Sequence, residues 1–253
     1  MKKFISITLG IIISTGILKA QNDTMYIMNS GQIIGQYKVS KVDSVIFYKP
    51  KTTAISAVID VDGNGYDTVR IGYQTWLKQN LKTTRYRNGD SIGTTSPVTK
   101  DITGESAPKY QWAYKGNEDT SAVYGRLYTW DAVADNRNVC PTGWHVSTQD
   151  EWSVLITFLT SNSLTGGKLK EAGSDHWVDP NTSATNETGF TALPAGERSS
   201  NEFRYFGIYT QFWTATADNA TSSWGYNLGY NSGQIYGSNS PNWVGFSVRC
   251  VKD

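Results

Sequence analysis

CPTGWHVSTQDEWSVLITFL, residues 140–159, carries the clearest local signal in the chain. Thr148 and Glu151 form a capping box, in which each side chain can satisfy a backbone N–H that the first helical turn leaves open. Trp152, Leu155, Ile156 and Leu159 follow at i, i+3, i+4 and i+7, one apolar face of a helix. Asp150 and Glu151 suit the positive end of the helix dipole, so they need no catalytic role as a carboxylate pair. A second helix is expected over Ala122–Ala134, where Tyr124, Leu127, Tyr128 and Asp131 share the same spacing. Tyr110, Trp112 and Tyr114 alternate as on one face of a strand. The last sixty residues read as short strands between Asn, Gly and Ser turns: Phe190–Leu193, Gln211–Thr216, Ser223–Leu228, Gln234–Tyr236 and Trp243–Val251. Two helices ahead of a strand-rich end imply an α+β domain.

Cys140 opens the segment, and Cys250 is the one other cysteine. Their meaning depends on the compartment, which the N-terminus addresses. Lys2 and Lys3 precede a mostly apolar run, Phe4–Leu18, with a small residue at Ala20. This reads as a secretory signal peptide over residues 1–20, too short an apolar run to span a bilayer comfortably. Export to the periplasm, the cell surface or the medium follows, and no later stretch is apolar enough for a membrane span. In an oxidising compartment the two cysteines pair most simply with each other. Without residues 1–20 the chain holds 20 basic and 22 acidic residues. With no basic stripe, nucleic acid is not an expected partner.

DVDGNGYDT, residues 60–68, looks like half a calcium loop, with Asp60, Asp62 and Asn64 at alternate positions. The twelfth residue of such a loop should be a bidentate Glu, and here it is Ile71. Asp62-Gly63 and Asn64-Gly65 instead favour a hairpin tip, flanked by period-two strand patterns. No metal or cofactor is expected. Residues 21–53 form a small N-terminal β segment, with strands at Met25–Met28, Gln32–Val39 and Ser44–Tyr48, and residues 54–253 form the main domain.

Six ordered stretches then carry a resemblance: IGYQTWLKQNLKTTRY (71–86), YGRLYTWDAV (124–133), CPTGWHVSTQDEW (140–152), GGKLKEAG (166–173), NETGFTALPAGER (186–198) and GFSVRCVKD (245–253). Together they resemble the Fibrobacter succinogenes major paralogous domain of secreted bacterial proteins. More distantly, Ser147–Trp152 and Gly245–Arg249 resemble the core of C-type lectins and formylglycine-generating enzymes. The resemblance implies a C-type-lectin-like core and transfers no activity, because fold does not carry function.

The oxidase chemistries of that superfamily lack their residues here. One needs a close pair of reactive cysteines, and another needs three histidines where only His145 and His176 exist. His145 reads as a packed residue and His176 as a loop residue. Glu171, Asp175, Asp179, Glu187, Glu197 and Glu202 offer carboxylate pairs for hydrolysis, but sequence does not fix their separations. No nucleophile elbow, zinc motif or phosphate loop is present.

A non-catalytic binding role is therefore expected, with polysaccharide or a surface protein as partner. Nine Trp and fifteen Tyr supply flat faces with polar handles. Trp224, Tyr226 and Tyr230 share one strand face, which either binds ligand or faces the core. Tyr236, Asn242 and Trp243 lie in Gly/Asn/Ser-rich surroundings that suit a surface.

Overall fold

The computed structural model describes residues 24–29, 31–41, 58–159 and 164–253, so the expected signal peptide and the Ser44–Tyr48 strand lie outside the described residues. The chain divides into two units, residues 1–53 and 54–253. In the first, β1 (Thr24–Asn29) and β2 (Gln32–Lys38) form an antiparallel hairpin. Tyr26, Ile27, Ile33, Ile34 and Tyr37 are exposed on it.

The second unit is α+β. Its early strands are β3 (Val58–Ile59), β4 (Gly65–Tyr66), β5 (Thr68–Ile71), β6 (Gln74–Leu77) and β7 (Gln111–Trp112). Then come α1 (Glu118–Tyr124), β8 (Leu127–Tyr128), α2 (Trp130–Val133), β9 (Trp144–Val146), α3 (Gln149–Leu159) and α4 (Thr165–Leu169). The strand-rich end holds β10 (Glu197–Arg198), β11 (Phe203–Arg204), β12 (Tyr209–Ala217), β13 (Ser222–Gly229), β14 (Ile235–Pro241) and β15 (Cys250–Lys252). Two sheets dominate, one of order β5-β6-β15-β9 and one of order β12-β13-β14.

Helix α3 starts where the capping box places it. Glu151 Oε2 accepts from the Thr148 N–H at 2.8 Å, and the Glu151 N–H donates to Thr148 Oγ1 at 3.2 Å. Trp152, Leu155 and Leu159 are buried, in a cluster with Trp76, Phe190 and Phe212. The helix expected over Ala122–Ala134 is instead two short helices separated by β8. Gly125 breaks it: its φ is +77°, and a Cβ there would lie 2.5 Å from Asn80 Cβ. Freed from helical geometry, Leu127 and Tyr128 pair with β7, and Tyr128 also exchanges hydrogen bonds with Phe246.

Two expected strands are less regular than their patterns suggest. At Phe190–Leu193 only Ala192 makes a bridge, to Lys170. Thr191 sits at φ +54°, a conformation a β-branched residue rarely adopts, held by Asn186. Within Trp243–Val251, Gly245, Phe246 and Ser247 bridge three different neighbours, and a ladder forms only from Cys250. This segment threads between elements, so its hydrogen bonds go to several partners.

The Asp60 stretch is the tip joining β3 to β4. Asp60 accepts from the Asp62 and Asn64 N–H groups, from Asn64 Nδ2 and from the Tyr66 hydroxyl. Asp62 Oδ2 accepts from Thr83 and Thr84. Asp60 thus holds its own loop, and Asp62 ties that loop to residues 83–84. Cys140 and Cys250 form a disulfide, both half-cystines buried.

His145, on β9, bridges two carboxylates: Nδ1 meets Asp253 at 2.7 Å and Nε2 meets Glu151 at 2.8 Å. Partial burial pulls its pKa down, but the two carboxylates outweigh that and raise it above the ordinary 6.5. A base with a raised folded pKa adds stability that is fully present below the unfolded pKa and is lost as pH rises through the folded one. Thermal melts should therefore show wild-type protein losing stability above pH 6.5 relative to His145→Gln. Parallel profiles for the two proteins would disprove the clasp.

Candidate functional site

A cavity of about 490 Å³ brings aromatic, amide and carboxylate side chains together, with Asn242, Trp243, Asp131 and Glu105 in its lining. Four separate chain segments meet there. Residues 103–108 form one wall, Asp131 comes from the first turn of α2, 220–222 lead into β13, and 241–243 follow β14.

Backbone bonds lock these segments together. The Trp130 N–H donates to Asn242 O at 2.9 Å, tying α2 to the turn after β14. Asn242 N–H donates to Thr221 O at 2.9 Å, and Val244 N–H closes the turn onto Pro241 O at 3.0 Å. Ser223 Oγ donates to Asn242 Oδ1 at 2.8 Å, which fixes the amide orientation. Among the described residues Asn242 Nδ2 and Trp243 Nε1 have no acceptor, and the half-buried Trp243 ring packs against two of the core clusters. On the opposite wall Thr129 Oγ1 donates to Pro108 O and holds the 103–108 loop.

Two carboxyls line the cavity, with different surroundings. Glu105 accepts from Lys100 Nζ at 2.7 Å and from the Tyr110 hydroxyl at 2.6 Å, which together hold its pKa below the usual carboxylate range. Asp131 has no such partner. Its Oδ2 is buried without a hydrogen bond, and burial raises its pKa against the weaker opposing pull of Lys109 and its own N–H. Lys109 itself donates to Asp135 at 2.8 Å.

The six aromatic and amide residues singled out from the sequence do not form one site. Asn242 and Trp243 lie in the cavity. Tyr226 is buried, stacked on Trp152 with centroids 5.0 Å apart, and so presents no face to a ligand from outside. Its strand neighbour Leu228 is also in the core, the physical reason the stripe alternates. Trp224 is half-buried on β13, and Tyr230 packs edge-on against Tyr209. Tyr236 is 47% exposed on β14, its hydroxyl donating to Gln234. Nothing in the sequence pointed to Asp131 as a site residue, because its neighbours in the cavity are distant along the chain.

None of the six carboxylates considered for hydrolysis lines this cavity. Glu197 is buried and bound by Arg204 and Gln211, Glu171 pairs with His176, and Glu187 pairs with Lys168. Among the described residues no three of His, Cys, Asp and Glu converge as a metal centre requires. No helix among them is long and apolar enough to cross a membrane.

The family model of the Fibrobacter succinogenes major domain matches residues 69–252. No curated protein and no solved structure matches the chain. The match runs from β5 to β15 and takes in every element that builds the cavity. By that match, the chain belongs to the Fibrobacter succinogenes major domain family.

Proposed function

We propose that residues 54–253 act as a non-catalytic binding domain with a C-type-lectin-like core, exported by the signal peptide at residues 1–20, and that it recognises polysaccharide. The observation that carries this reading is the meeting of Trp243, Asn242 and Asp131 in one cavity of about 490 Å³. That volume lies within the usual range for small-ligand sites. An indole offers a flat apolar face to the C–H side of a sugar ring, and free amide and indole N–H groups can donate to its hydroxyls. The rival reading is a protein-interaction component of a surface assembly, favoured by the exposed Tyr26, Ile27, Ile33, Ile34 and Tyr37 of the β1–β2 hairpin.

A glycan array, run with calcium and again with a chelator, tests the reading. Binding should survive chelation, because the Asp60 carboxylate is engaged by its own loop and that of Asp62 by Thr83 and Thr84. Trp243→Ala should weaken it about tenfold or more, since loss of a buried aromatic contact exceeds 1 kcal/mol. Silence from folded protein across a broad array would reject the saccharide reading in favour of a protein partner.

A further inference from the structure

We propose that two copies of this chain associate through the outer edge of β1, antiparallel about a two-fold axis, making one four-stranded sheet of order β2-β1-β1-β2. The inference concerns the first unit alone and stands apart from the saccharide reading.

A lone two-stranded hairpin is marginally stable in water, and independent stability takes three or more strands or a packed face. Among the described residues β1 and β2 pair only with each other. Neither face supplies the missing burial. Tyr26 and Ile27 are consecutive, so they point to opposite faces, yet they are 45% and 44% exposed. Ile33, Ile34 and Tyr37 of β2 are exposed as well.

The two edges of the hairpin differ. Strand β2 carries the devices that keep an edge from pairing. Its register slips where Ile27 faces Gly35 and Met28 faces Ile33, which leaves Ile34 as the extra residue of a bulge. Gly35 adjoins the bulge and Lys38 ends the strand. Strand β1, TMYIMN, has no charge, no Gly and no Pro. Six uncharged residues that include Thr, Tyr and Ile have the composition that pairs strand to strand.

Charge favours a second copy as the occupant. Lys38 is the one charged residue of the two strands, and it faces Thr24 at one end of β1. Antiparallel pairing of β1 with β1 sets the two Lys38 positions at opposite ends of the sheet, roughly 20 Å apart along the strands. No like charges are then opposed. A two-fold contact of this kind is self-complementary and closes at the dimer.

Sedimentation velocity of the full exported chain, from about 1 to about 200 μM, should show a monomer–dimer equilibrium. Ile27→Lys puts a charge on the free edge and should raise the dissociation constant about tenfold or more. Ile34→Lys takes a comparable apolar side chain from β2 and should leave the constant unchanged. Hydrogen exchange of the wild type needs no variant: β1 amides should slow as concentration rises, while those of residues 58–253 should not. A monomer across the whole range would overturn the proposal and leave the edge to an extended strand of another protein. Equal weakening by both variants would overturn it by assigning the association to the apolar faces. A dimer with unchanged β1 exchange would overturn it by placing the contact elsewhere.

Discussion

Replacing Arg249 with Met should destabilise the domain by about 4 kcal/mol, read from urea denaturation, because several buried acceptors lose their donor at once. Arg249 is 1% exposed and, among the described residues, has no acidic partner within hydrogen-bond reach. Its Nε donates to Asn80 Oδ1 at 2.7 Å, Nη1 to the carbonyls of Leu77 and Phe190 at 2.9 and 2.8 Å, and Nη2 to Thr191 O at 3.1 Å. The guanidinium also lies 4.3 Å from the Phe190 ring centre. Burial pushes its pKa down to about 9, and the four oxygens hold the proton in place. One side chain thus joins β6, the 190–191 segment and β15. Methionine fills similar volume but donates nothing. Arg249→Lys should recover less than half of the loss, since an ammonium cannot reproduce the planar fork. A loss below about 1.5 kcal/mol for Arg249→Met would mean the carbonyls find water instead.

Removing the disulfide, as Cys140→Ala with Cys250→Ala, should cost about 4–5 kcal/mol through the denatured chain. The bridge spans a sequence separation of 110. It constrains the unfolded ensemble far more than the folded one, where β15 already pairs with β9. Circular dichroism at 25 °C should accordingly look native, while the denaturation midpoint falls. Reduction of the wild type should give the same shift. A loss under about 2 kcal/mol would show that the denatured chain stays compact without the bridge.

A second cation shows how such anchoring escapes the sequence. Lys170 is fully buried, its Nζ donating to the carbonyls of Thr182, Gly229 and Ser232 at 3.0, 2.9 and 2.8 Å. In the sequence it is an ordinary lysine beside Lys168. Helix α4 was equally hidden, because two of its five residues are Gly, poor helix formers. It exists through close approach: a Cβ at Gly166 would lie 2.3 Å from Gln234 O, and one at Gly167 would lie 2.1 Å from Ser183 O.

The sequence by itself determined what depends on neighbours along the chain. The capping box at Thr148 and Glu151, the apolar face of α3, the Asp60 hairpin tip and the main strands β12 and β13 follow from spacing and turn chemistry. Cys140 and Cys250, the two cysteines of the chain, pair most simply with each other, and they do. Tertiary structure decided the rest. It split the expected first helix at Gly125, because Asn80 leaves no room for a side chain there. It sent Tyr226 inward onto Trp152, settling which way its alternating strand face turns, and placed Asn242 and Trp243 in the lining of one cavity with Asp131 and Glu105. Asp131 reached that cavity through hydrogen bonds between residues about a hundred positions apart, and no local pattern encodes contacts at that range.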